Sequence, residues 1–350
     1  MSRILEALGS SVRAMICAPE GKALVVSDLS SIEVWVLGWL TDCEGINQMA
    51  REGKDPYKAF AEIWLEILYD QVDKPTRNLC KPPMLGCGYR LGPGEQDPED
   101  PEKFTGLMAY GRSMGVELDQ EQARHATEVY REKFWEVPNF WKSCERASYS
   151  AVCAGETATT GPLTWRREGD FLTIELPSTR KLYYHLPDWR RVRAPWADKT
   201  IRQWIEAGEL PDWLTELSKT ARIAKAEEIL WRRDDTSMVE SLYTENLTYM
   251  GEDQYANQWA RLVTHGGKIT ENVVQAIARD ILLHGMRLYE FRSVHGVIGH
   301  VHDEAIAETP EDRAAEELAL LDEALRTTPS WAPGLILGSE GYIAKRYRKG

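Results

Sequence analysis

Two aspartates far apart in the chain, Asp28 and Asp303, have surroundings that suit a divalent cation. Asp28 closes a short apolar run rich in β-branched residues, ALVVS at 23–27, which reads as a buried strand bounded by Glu20-Gly21. Behind it, Ser30 and Ser31 are good helix N-cap residues, and Ile32, Val36 and Trp39, with Leu37 and Leu40, recur at helical spacing. Read alone, Asp28 is as readily a cap or turn residue as a metal ligand. Asp303 lies in GVIGHVHDEAIAE (296–308), where apolar residues flank His302-Asp303-Glu304, the pattern of a β-hairpin with a carboxylate at or near its turn. Two strand-borne carboxylates converging on a pair of ions is the arrangement that two-metal phosphoryl chemistry requires.

Between them, Arg77, Lys81, Leu85 and Tyr89 follow one another every four residues. On a helix this spacing gives one stripe that drifts around the axis. Its two cations suit a triphosphate, whose oxygens each want a donor and a compensating charge. Without context the same stripe is a solvated basic face.

Taken in order, the three stretches resemble the motifs of family A (DNA polymerase I-like) DNA polymerases of the phage type. SDLSSIEVW and HVHDE are similar to the first and third palm motifs, and RNLCKPPMLGCGY is similar to the fingers motif R-x3-K-x3-F-x3-Y-G. The resemblance implies an α+β fold: a right-hand palm, made of an antiparallel sheet with helices, plus mostly helical fingers. It also implies a DNA-directed DNA polymerase that transfers dNTPs to a primer 3′-hydroxyl on a DNA template. Two Mg²⁺ ions, for which Mn²⁺ can substitute, would then be held by Asp28, Asp303 and the Leu29 carbonyl. Arg77 and Lys81 would bind the triphosphate, Leu85 would pack on sugar and base, and Tyr89 would abut the nascent pair. Glu33, packed with Tyr89, would close the space of a 2′-hydroxyl. His302, Gln275 and Glu304 would serve the primer and template. Departures from the motifs are Leu85 for an aromatic residue, Arg90 for the glycine after the tyrosine, Trp35 for an arginine, Ser31 for a glutamine, and Pro82-Pro83 inside the presumed helix. The two prolines remove backbone donors and predict a kink after Lys81.

The elements that must position these residues follow from the pattern between them. A palm over 1–45 and 243–350 is expected to flank fingers and a connecting hairpin at 46–185, with an insertion of unknown role at 186–242. Residues 13–21 resemble a strand pair that precedes the first motif. Asp55-Pro56-Tyr57 predicts a helix start and Asp119 an N-cap, while residues 160–185 alternate as strands. Trp135, Phe140 and Trp141 read as core. LPSTRKLYY resembles a family hairpin written L-P-S-G-R, with Thr179 for glycine, and Arg180 follows it. Residues 211–231 read as one amphipathic helix, lined by Trp213, Leu217, Ala221 and Ala224 with Lys219, Arg222 and Lys225 nearby. It is expected to be a packed surface helix; contact with DNA or a partner is the alternative.

At 350 residues the chain can fill two or three subdomains. Its net charge of −13 argues against nucleic-acid binding by the whole surface, yet is compatible with a basic cleft. Charge is uneven: acidic at 95–102 and 311–323, basic at 165–202 and in the KRYRKG tail. Six cysteines show no CxxC and read as reduced cytosolic thiols. No segment has the length and apolarity of a membrane span or the pattern of a signal peptide, so the expected location is the cytoplasm, that of the host cell for a phage protein. Full-length members of the resembling family carry a thumb, upstream palm strands and often an exonuclease ahead of this region. Their absence here predicts a second polypeptide that supplies thumb and upstream palm, with or without an exonuclease, a minimal polymerase of poor processivity being the alternative; primer–template DNA and dNTPs are the other expected partners. The rivals are a non-catalytic polymerase-like subunit for assembly or DNA binding, and another two-metal enzyme such as a nuclease.

Overall fold

Strand β1 (Lys22–Leu29) is buried from Ala23 to Ser27, as its apolar run demands. It turns directly into α1 (Ile32–Thr41), which is buried nearly all round and therefore sits inside the molecule rather than on it. Ser31 at its N-cap adopts φ 52° and makes no side-chain cap, so the serine pair shapes the turn without capping. Three helices follow: α2 (Glu44–Arg51), α3 (Pro56–Leu65) and α4 (Lys74–Cys87). Asp55 caps α3 by accepting from the Tyr57 and Lys58 amides at 2.9 and 3.0 Å, and Asp73 caps α4 through the Thr76 amide at 2.9 Å. α4 is continuous through Pro82 and Pro83, both of which are buried. The computed structural model describes residues 12–97, 100–253 and 256–348.

A short hairpin, β2 (Gln96–Asp97) with β3 (Asp100–Phe104), leads to α5 (Gly106–Ser113), α6 (Gln120–Lys133) and α7 (Glu136–Tyr149). Asp119 and Gln122 form a reciprocal capping box on α6. Phe140 and Trp141 are buried as expected, but Trp135 is 57 % exposed: it is the N-cap of α7, where the chain turns outward.

The predicted strands are β4 (Ala158–Thr160), β5 (Leu163–Glu168), β6 (Phe171–Glu175) and β7 (Lys181–Arg193). Thr179 in the β6–β7 turn has φ 70°, a left-handed conformation that explains a glycine in the resembling L-P-S-G-R hairpin. Residues 197–242 form a small helical unit with its own core around Ile201, Ile205, Leu214, Ala226 and Leu230. It contains α8 (Ala197–Glu206), α9 (Lys219–Arg232) and α10 (Thr236–Ser241). The single helix expected over 211–231 is instead a 3₁₀ turn (Asp212–Glu216) followed by α9. Trp213 is consequently 46 % exposed rather than aligned on an apolar face. Arg222 is fully buried, paired with Asp198 at 2.7 Å and donating to the Thr215 and Leu217 carbonyls, so it holds the unit together and offers nothing to a partner.

β8 (Tyr243–Asp253) and β9 (Gln258–Val263) complete an antiparallel sheet of order β4-β5-β6-β7-β8-β9. The long helix α11 (Gly266–Arg292) then packs on α1 and α7. Its opening glycines are required by contact: a Cβ on Gly266 would lie 2.1 Å from the Trp141 carbonyl oxygen, and one on Gly267 2.4 Å from that of Tyr89. After α11 come β10 (Val297–Val301), β11 (Glu304–Pro310), α12 (Ala314–Arg326) and β12 (Ser339–Ala344). These strands enclose β1 in a second antiparallel sheet of order β10-β11-β1-β12. In the lead-in, residues 12–14 are helical and Cys17 makes one isolated bridge with Arg346, so no strand pair forms over 13–21; residues 1–11 lie outside the described residues. Among the described residues no helix is long and apolar enough to cross a membrane.

Candidate active site

The sheet topology brings the two distant aspartates together. Antiparallel pairing sets Asp28 on β1 opposite Glu304 on β11 and opposite Glu340 on β12. Asp303 occupies the two-residue β10–β11 turn with His302, whose φ is 54°. The Asp303 carbonyl accepts from the Leu29 amide at 3.2 Å, which fastens that turn to the end of β1. Burial and the facing carboxylates of Asp303, Glu304 and Glu340 push Asp28 up to about 6. Glu340 escaped the sequence reading because only strand pairing places it there. The Glu304 carboxylate accepts from the Tyr347 hydroxyl, and burial raises that phenol.

Three clefts meet at Asp303. The first, of about 720 Å³, is lined by Asp28, Glu33, Arg77, Lys81, Leu85 and Asp303 among others. Helix α4 thus turns three members of its four-residue stripe toward the carboxylates. Arg77 donates to Asp55 at 2.7 Å, and its guanidinium lies 4.9 Å from the Tyr57 ring centroid, over which the Lys81 ammonium also sits at 5.6 Å. Asp55 and Tyr57, which the sequence offered only as a helix start, are therefore the partners of the cations. Tyr89 follows the end of α4 and does not line this cleft; burial, with the Glu33 charge next, holds its phenol well above the usual value. Arg90 beside it adopts φ 71°, again where the family motif has glycine, and pairs with Glu145 at 2.5 Å.

The second cleft, about 710 Å³, shares Asp28, Asp303 and Glu340 with the first and adds His302, Glu304, Arg13, Tyr347 and Arg348. Nothing in the spacing pointed to Arg13 or the tail; the signal available was the basic KRYRKG run. The third, about 510 Å³, is lined by Ile32, Glu33, Arg180, Gln275, Ala276, Ala278, Arg279, His302 and Asp303. Here the Gln275 side-chain amide donates to Glu33, whose carboxyl is raised chiefly by burial. Among the described residues no group of three His, Cys, Asp or Glu side chains forms a ready-made metal centre. The first two clefts nevertheless have an oxygen-rich wall on which like charges crowd.

The first cleft brings a sheet-borne pair of carboxylates together with the cationic residues of α4, and the fold around it is that of a DNA polymerase domain. It matches the POL domain of Pol1 from M. smegmatis, determined in complex with a DNA primer-template and dNTP, with a TM-score of 0.55 and 14 % identity over 97 % of this chain and 42 % of that one. In sequence the chain is similar to the DNA polymerase of Bacillus phage SP02, 27 % identical over 346 residues, which are 98 % of this chain and 44 % of the relative. No family model matches. The likeness fits part of a phage DNA polymerase, and the chain spans less than half the length of either protein.

Proposed function

We propose that this chain is the catalytic part of a phage family A DNA polymerase, adding dNTPs to a primer 3′-hydroxyl under template direction. The observation that carries the reading is the first cleft, where Asp28, Glu33, Arg77, Lys81, Leu85 and Asp303 meet from three separated stretches of sequence. In this reading residues 1–45 and 243–350 are palm, 46–185 fingers and connecting hairpin, and 186–242 an insertion.

Asp28, Asp303 and the Leu29 carbonyl would hold two Mg²⁺ ions, or Mn²⁺ in their place. The donors fit: they are hard oxygens, and the crowding that pushes Asp28 up to about 6 is a charge imbalance that a cation relieves. Bound there, magnesium would raise the acidity of the primer hydroxyl and stabilise the transferred phosphoryl group. Arg77 and Lys81 neutralise the triphosphate and the departing pyrophosphate. For that, Arg77 must exchange Asp55 for a phosphate, while the Tyr57 ring keeps both cations in place. Leu85 packs on the incoming sugar and base with a weaker grip than an aromatic ring. Glu33, tied to Gln275 and beside Tyr89, fills the space of a 2′-hydroxyl. Gln275, His302 and Glu304 serve the primer terminus; a donor in the minor groove meets acceptors common to every Watson–Crick pair. Thumb, upstream palm and any exonuclease would lie outside these residues, on the same polypeptide or on a second one, and the site of action would be the host cytoplasm.

Primer extension with Mg²⁺, dNTPs and a primed DNA template tests the reading, with Asp303→Ala alongside. Extension that disappears in the variant is expected, from the chain alone or with a thumb-bearing partner added. Duplex binding without extension in either setting would overturn catalysis in favour of an assembly role.

A further inference from the structure

The third cleft contains two arginines that the reading above leaves without a role, and their surroundings differ. Arg180, at the tip of the β6–β7 hairpin, donates to the Asp280 carboxylate at 2.8 Å and to the Ala276 carbonyl at 2.8 Å. Ser178 holds the other oxygen of Asp280 at 2.5 Å, and that carboxylate is nearly buried. The charge of Arg180 is spent on closing the hairpin onto α11. Arg279 precedes Asp280 on the same helix, one turn beyond Gln275, and is exposed to the cleft. Among the described residues no carboxylate forms an ion pair with it. Ala276 and Ala278 line the cleft beside it with small side chains, and Glu33, His302 and Asp303 line it as well. In a chain of net charge −13, an arginine without an acidic partner, facing an open groove next to the catalytic turn, is a seat for an external polyanion.

We infer that Arg279 grips a backbone phosphate of the DNA strand in this cleft, whereas Arg180 is a positioning residue that pins the hairpin to α11. The inference rests on the polymerase reading for the identity of the polyanion. A labelled primer–template duplex, titrated with the full chain in EDTA over a range of NaCl concentrations, tests it without requiring catalysis. Arg279→Gln should weaken binding several-fold at low salt and reduce the slope of log K against log salt by about 0.9, the share of one duplex phosphate. Arg279→Lys should restore the slope, while Arg180→Gln should leave it unchanged and lower the melting temperature. An unaltered slope in Arg279→Gln, or a slope lost in Arg180→Gln, overturns the assignment. Binding by a wild-type chain that extends no primer, either alone or with a thumb-bearing partner, removes the polymerase reading and leaves the slopes to decide Arg279. No duplex binding at any salt, alone or with a thumb-bearing partner, overturns both.

Discussion

Asp28 and Glu304 are register partners across the β1–β11 ladder, and Glu340 flanks Asp28 from β12. The ionised form of Asp28 is therefore paid for by the rest of the fold when no cation is present. Its folded value, about 6, lies above the unfolded 3.8, so the unfolded chain releases this proton first. Stability from this group is complete below pH 3.8 and is lost as pH rises through 6. In EDTA, Asp28→Asn should thus raise stability by about 1 kcal/mol at pH 7.5, after discounting for partial solvation, and by nothing near pH 3.5. Thermal denaturation at both pH values checks this; a destabilised variant at pH 7.5 would contradict the electrostatic account.

Asp55 both caps α3 and holds Arg77. Asparagine caps as well as aspartate but carries no charge. Asp55→Asn should keep the melting temperature within a few degrees and lower the KM for dNTP, since Arg77 no longer has a competing carboxylate. Arg77→Ala should move KM the other way, by roughly tenfold for a lost charge-assisted contact. Steady-state extension on one template compares the two, and a raised KM in Asp55→Asn would refute the exchange.

Glu33 is the acceptor of the Gln275 amide and the first of the charges acting on Tyr89. Glu33→Ala should open the space beside Tyr89 and narrow the preference for dNTPs over rNTPs by at least about tenfold, the effect of one steric contact of 1–3 kcal/mol. Competitive extension with paired dNTP and rNTP measures it. Unchanged discrimination would assign selection to other residues.

Tyr347 is 2 % exposed, packs with Leu24, Val26 and Ile306, and donates to Glu304. Tyr347→Phe keeps the ring and loses the bond, so it should cost about 1–2 kcal/mol, whereas Tyr347→Ala should cost about 3–5 kcal/mol through the cavity it opens. Urea denaturation distinguishes the two. No cost in Tyr347→Phe would mean that the hydroxyl contact contributes nothing, and equal costs in the two variants that the ring packing contributes nothing.

Thr179 adopts φ 70° with a β-branched side chain. Thr179→Gly should stabilise by about 0.5–1 kcal/mol, the left-handed penalty less the added chain entropy of glycine. Differential scanning calorimetry of the full chain provides the comparison.

The local elements were legible in the sequence because each is built by neighbours. The run ALVVS, the caps Asp55 and Asp119 and the alternation over 160–185 need nothing from afar to become strand, helix starts and strands. Asp28 and Asp303 were legible for the same reason, each ending or turning a strand. Helix 211–231 was not, since its break at Leu217-Ser218 serves a core that buries Arg222 against Asp198, and periodicity carries no record of that pair. Nor could spacing along the chain disclose that Glu340 faces Asp28, that Tyr347 holds Glu304, or that Arg180 pairs with Asp280. Residue order determined which groups could do chemistry and the backbone shape that carries each. Which of them meet was decided by the pairing of β1 with β11 and β12 and by the docking of α11, because only the folded chain brings partners tens to hundreds of residues apart within reach of a hydrogen bond or a charge.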